Sequence, residues 1–270
     1  MLSRTALEDL YRRYNRQAFV HPDPVELLYP YADLCDREVV ALVAACLAYG
    51  RVGQILASAR SVLDRLGSGP AAVLRRVSPR SLAGMFSRFR HRFTTGTDLT
   101  ALLAGVGRAL DRHGSLNACF LAGLDPADPT VVPALSSFVA EVAGRGSHLL
   151  PTPADGSACK RLNLFLRWRV RSDEVDPGGW EGVSPSQLVV PLDTHMARVA
   201  RRLRLTQRKS VNMAMALQVT DAFRAVRPDD PVRYDFALTR LGIRSDIEEV
   251  GQIRTLGSGP RPSTGRGGAG

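Results

Sequence analysis

Apolar residues recur at three- and four-residue intervals through most of the chain, the spacing that gathers side chains on one face of an α-helix. Ser3 leads a segment with Leu7, Leu10, Tyr11 and Tyr14 on one face, and Asp36 stands as the cap of an apolar run from Val39 to Tyr49 that Gly50 breaks. An amphipathic stretch from about Val52 to Leu66 closes at Gly67-Ser68-Gly69-Pro70, and Ser78-Pro79 opens another helix with proline in its first turn. Asp98 is placed to cap a helix presenting Leu99, Leu102, Leu103, Val106 and Leu110. Further helices are expected at about 115–123, 130–143 and 157–171, then from near Asp193, at 212–226 and at 231–242. The turn Pro151–Gly156 and the polar loop Ser172–Ser186 connect them. No stretch alternates as a strand and no hairpin turn joins two such stretches. The pattern predicts an all-α fold over residues 1–245, followed at 246–270 by a Gly/Pro/Arg-rich tail with too little apolar surface to order.

With 270 residues, 44% hydrophobic and 23% charged, the chain is large enough for a real core and ordinary for a globular protein. The Val39–Tyr49 run falls well short of the roughly 20 residues of a spanning helix, and the N-terminus lacks the apolar segment of a signal peptide. A cytoplasmic protein with no membrane partner is expected. Cys35, Cys46, Cys119 and Cys159 show no metal-site spacing, so reduced, buried thiols are expected, with no metal and no cofactor. The net charge of +10 fits a polyanionic partner, or simply an arginine-rich composition. Lysine occurs only at 160 and 209; every other basic residue is arginine. Arginine stays protonated, whereas a lysine in a suitable site can lose its proton and become a nucleophile.

The segment Gly156-Ser157-Ala158-Cys159-Lys160 leads into a helix, where free backbone N–H groups suit a phosphate and Gly156 permits close approach. The helix dipole there disfavours an ammonium and should lower the pKa of Lys160, which reads equally as a surface lysine at a helix start. Asp193 reads as an N-cap, or as a rigid carboxylate beside Lys160 across a cleft; His195 reads as a phosphate donor or a half-buried helix histidine. An extruded base is held by an aromatic face. Trp180, Phe236 and Trp168 are the candidates, the last of them reading also as core packing.

Taken together, Gly156-x-x-x-Lys160, the apolar helix after it and the segment VVPLDTHMARVA (Val189 to Ala200) resemble the helix-hairpin-helix DNA glycosylase superfamily, specifically its 8-oxoguanine glycosylase branch. In that branch a lysine of the hairpin's second helix is followed by a V-P-x-D-x-H-M segment. The whole chain is also similar to a bacterial family of unknown function within that superfamily. The resemblance, concentrated over about 150–205, implies a two-lobed fold with a cleft between lobes and a hairpin and catalytic segment at about 149–205. It implies a bifunctional DNA glycosylase/AP lyase that removes an oxidised purine through a Schiff base on Lys160, with Asp193 as the catalytic carboxylate. Gly156, Ser157, Arg161, His195 and Arg198 would contact DNA, and Arg51 and Gln54 would face the gap left by the extruded nucleotide. The implied partner is double-stranded DNA with a damaged base, without an obligate protein partner, at the nucleoid. The hairpin PTPADG and the long interval from Lys160 to Asp193 depart from the branch, and the distal cysteines of its iron–sulfur relatives are lacking. The same residues leave open a non-catalytic helix-hairpin-helix protein that binds DNA or RNA, with Lys160 a phosphate contact and Asp193 a helix cap.

Overall fold

The computed structural model describes residues 2–145 and 147–243. The tail expected at 246–270 lies outside the described residues. Helix starts follow capping chemistry, with two shifts from the sequence expectation. Ser3 accepts the Ala6 N–H and opens α1 (Arg4–Tyr14). α2 (Leu34–Cys46) is capped by Asp33 rather than Asp36, whose carboxylate instead accepts the N–H of Ala71. α3 (Val52–Leu66) stops at Gly67, and the short α4 (Pro70–Arg76) and α5 (Pro79–Met85) each begin with proline. An antiparallel hairpin then appears where none was expected, β1 (Arg90–His91) on β2 (Thr94–Thr95). Strands of two residues are too short to show alternation. α6 (Gly96–His113) is capped by Thr95 rather than Asp98; Asp98 is the reciprocal member of the capping box and accepts the Thr95 N–H. α7 (Leu116–Leu121), α8 (Val132–Ala143), α9 (Lys160–Val170), α10 (Thr194–Arg202), α11 (Met213–Arg224) and α12 (Asp235–Ile243) complete the described elements.

α9 starts at Lys160, not at Ser157, because Cys159 takes the left-handed conformation at φ 46° and interrupts the helical path. α2 is apolar on nearly every side and buried from Glu38 to Cys46, as a helix at the centre of a core must be. α9 packs along it, and α3, α4, α7 and a 3₁₀ turn at Pro24–Leu28 surround it. α6 packs on α4, α5, α7 and α8, while α1 and α10 pack on α12. One continuous hydrophobic core results. Apart from the hairpin the described fold is helical, and no described helix is long and apolar enough to cross a membrane.

A buried ionic lattice fixes the loop after α9. Arg167 and Arg171, one turn apart, both bond the fully buried Asp176; Arg171 also pairs with Asp173 and Asp230, and Arg167 with Asp235 at the start of α12. The loop runs back along the helix end, where the N–H groups of Gly178 and Trp180 donate to the carbonyls of Trp168 and Arg169. Gly178, at φ 62°, is needed there: a Cβ would lie 2.8 Å from that of Ser172.

Candidate active site

The sequence separates Lys160 from Asp193, Trp168 and Phe236, yet all four line one cavity of about 110 Å³. Lys160 is the first residue of α9, Asp193 the N-cap of α10, and Asp235 and Phe236 begin α12. Asp23, Pro24, Ala48 and Pro191 contribute further wall.

Nζ of Lys160 lies 3.5 Å from the Ala48 carbonyl, a long contact beyond the end of α2, and no carboxylate of the cavity forms an ion pair with it. Burial lowers its pKa from the usual lysine value; Asp193, Asp23 and Asp235 pull in the other direction, and Arg167 adds to the lowering. The lowered pKa thus follows first from lost water, not from the helix dipole that the sequence suggested. Asp193 is held by two backbone bonds to one oxygen: Oδ1 accepts the N–H groups of His195 at 2.9 Å and Met196 at 2.8 Å. Those bonds fix the carboxylate at the start of α10.

Asp235, which sequence reasoning missed, is only 5% exposed, and Nη1 of Arg167 bonds it from 68 residues earlier in the chain. Burial raises its pKa to about 6 against the pull of Arg167. No local motif marks such a residue. The available signal was Arg167 and Arg171 at helical spacing among the large apolar residues Phe165, Leu166, Trp168 and Val170, where a buried guanidinium gains by finding a carboxylate.

The expected base-pocket residues divide. Phe236 lines the cavity beneath the Arg240 guanidinium, 4.7 Å from the ring centre. Trp168 lines it too, 1% exposed, with an unpartnered Nε1. Trp180 does not belong there. It is 5% exposed, packs against Phe120 and Phe165, and donates Nε1–H to Glu38 at 2.6 Å, so it is a core residue with its polar edge satisfied.

The expected DNA contacts are likewise mixed. Gly156 is exposed at φ 74° and its carbonyl accepts the Met213 N–H, while Ser157 Oγ accepts the Cys159 N–H. Arg198 is exposed on α10; Arg51 and Gln54 are exposed at the start of α3, which has no side-chain cap. Arg161 departs from expectation. Its guanidinium donates to the carbonyls of Cys46 and His148 and lies over the Tyr49 ring, closing the end of α2 rather than facing solvent. His195 is half-buried, outside the cavity, with its Nε2 unpartnered; burial lowers its pKa, which favours a neutral ring over a cationic phosphate contact.

The hairpin adds a residue the sequence reading passed over. Phe93, at its tip, is 60% exposed and stacks on Tyr49 with ring centres 5.0 Å apart. The clue was the run Arg88-Phe-Arg-His-Arg-Phe93, arginines interleaved with aromatic residues. A larger hollow of about 820 Å³ carries Glu26, Asp33, Asp36 and Asp64. Those carboxylates repel a polyanion, so the hollow is not a place for nucleic acid.

The family described as "Protein of unknown function (DUF2400)" matches residues 23–244. This chain belongs to that family. The DUF2400 match begins at Asp23, itself a cavity residue, and takes in every residue of the cavity wall. No curated protein matches the chain, and neither does any solved structure.

Proposed function

We propose that this protein is a helix-hairpin-helix DNA glycosylase with AP lyase activity, removing an oxidised purine of the 8-oxoguanine kind. One observation carries the reading: a water-deprived lysine amine and a rigidly capped carboxylate, Lys160 and Asp193, line the same cavity. A lysine with a lowered pKa offers its lone pair to C1′ of the deoxyribose, and a fixed anion stabilises the positive charge that develops on the sugar as the base departs. The imine then formed on Lys160 permits β-elimination and strand cleavage.

In this reading the turn Pro151–Gly156 and α9 form the hairpin segment, and the cavity is the floor of a cleft between two lobes. Its volume, about 110 Å³, lies below the roughly 300–1,000 Å³ of small-molecule clefts, so a nucleobase enters only when the walls around Pro191 and Phe236 part from α9. Arg51, Arg198 and the exposed Phe93 supply positive charge and a stacking face to the duplex.

Borohydride reduction on an 8-oxoguanine duplex tests the proposal. The expected result is a covalent protein–DNA adduct that Lys160→Gln abolishes. If no adduct forms on that duplex, on a panel of oxidised purines or on a preformed abasic site, while salt-sensitive DNA binding persists, the enzymatic reading gives way to a non-catalytic nucleic-acid-binding protein.

A further inference from the structure

We infer that Asp235, and not Asp193, accepts the proton that Lys160 sheds as it bonds to the sugar, an inference that rests on the lysine chemistry proposed above. The two carboxylates line one cavity with the amine but are built for different work. Asp193 holds two backbone N–H groups at the start of α10, and a proton on it would weaken the helix cap. Its Oδ1 is committed to that cap. Asp235 is engaged from one side by Arg167, and that guanidinium is shared with Asp176, so Asp235 is held in place by half a partner. Its burial raises its proton affinity, as a carrier near neutral pH requires.

The charged groups facing the amine are few. α9 contributes Arg167, α12 Asp235, and the segments before α10 and before the Pro24 turn contribute Asp193 and Asp23. Both oxygens of Asp23 are engaged, by Arg240 and by the Val25 N–H, whereas Arg167 bonds Asp235 through Oδ2, which makes Asp235 the better placed acceptor. None of these carboxylates forms an ion pair with Lys160, and the cavity has room for a few waters to bridge the transfer.

The step balances. Nζ attacks C1′ with its lone pair, the Nζ–C1′ bond forms, and the C1′–N bond to the base breaks with its electrons leaving on the base, which takes a proton from water. The secondary ammonium gives a proton to Asp235. When the lone pair on Nζ then opens the sugar ring to the protonated imine, O4′ takes that proton back from Asp235.

Trapping on a preformed abasic duplex, read across pH, separates this role from simple electrostatics. The chain has two lysines, so ¹³C-labelling of lysine Cε gives two resonances, and Lys209→Arg assigns them. Removing a nearby negative charge by Asp235→Asn lowers the Lys160 pKa and makes more free amine. Charge alone therefore predicts trapping that is unchanged or faster, whereas loss of the proton acceptor predicts trapping about 100-fold slower at every pH. Asp235→Glu, which keeps the carboxylate, should restore most of the rate. Trapping by Asp235→Asn at or above the unsubstituted rate overturns the inference. Should Asp235→Asn not fold, the unsubstituted rate profile should inflect near the Asp235 pKa of about 6, and Asp235→Glu should move that inflection; an unmoved inflection overturns the inference as well. Absence of any adduct from the unsubstituted protein instead overturns the lysine chemistry itself, and this role with it.

Discussion

In the proposed function Asp193 combines a structural and a chemical duty in one carboxylate, and substitution separates them. Asparagine caps a helix about as well as aspartate, so Asp193→Asn should keep the thermal midpoint of the native protein, while Asp193→Ala should cost about 1 kcal/mol by losing the bonds to His195 and Met196. Both should slow adduct formation about 100- to 1,000-fold, because both remove the anion. Equal activity of Asp193→Asn and the unsubstituted protein would remove Asp193 from the chemistry. Lys160 and Asp193 were legible in the sequence because each is tied to local grammar, a helix start and a proline-flanked cap. Asp235 and Trp180 were not. Their partners, Arg167 and Glu38, stand 68 and 142 residues away, and no local spacing announces a contact of that range.

Among elements, the hairpin was the least legible. Its strands are two residues each, and what fixes it is polar: buried His91 bonds Ser58 and the Tyr49 carbonyl, and Thr94 bonds Tyr49 and His148. Phe93 at the tip adds no hydrogen bond to that network, but its ring stacks on Tyr49 and packs against His148. Phe93→Ala should therefore cost about 1 kcal/mol of urea stability and, under the proposed function, weaken DNA binding about tenfold, the order of one lost base–aromatic stack. A fluorescence-anisotropy titration checks it, and unchanged affinity would take the hairpin out of the DNA contact. The helices themselves were readable from period alone. The misplaced caps of α2 and α6 each fell three residues late, because aspartate is favoured both at the cap and at the third helical position of a capping box.

For the whole molecule, one cluster of acid in this basic chain is turned inward. Asp173, Asp176, Asp230 and Asp235 gather around Arg167 and Arg171, which helped to hide them from any reading of net charge. Their titrations act in opposite directions. Burial pushes Asp173 up, but Arg171 and two backbone N–H bonds prevail and hold it at about 2, below its ordinary 3.8. Its contribution, about 2 kcal/mol, is full above pH 4 and is lost as pH falls toward 2. Asp235, raised from 3.8 to about 6, binds its proton more tightly folded than unfolded, and so subtracts stability as pH climbs through that interval. Asp173→Asn should then destabilise the protein by about 2 kcal/mol at pH 7 and by far less near pH 2, measured by urea unfolding at both. An equal loss at both pH values would assign Asp173 a role other than its charge.

Under the proposed function, the small size of the cavity sets who is admitted. A free nucleoside brings no flanking phosphodiesters, hence no remote binding energy with which to draw Pro191 and Phe236 away from α9. A long polymer gripped by surface arginines does. In that reading the usual sieve is inverted: the bulkier ligand gains entry and the smaller one is refused, which would spare soluble nucleotides from a reactive amine.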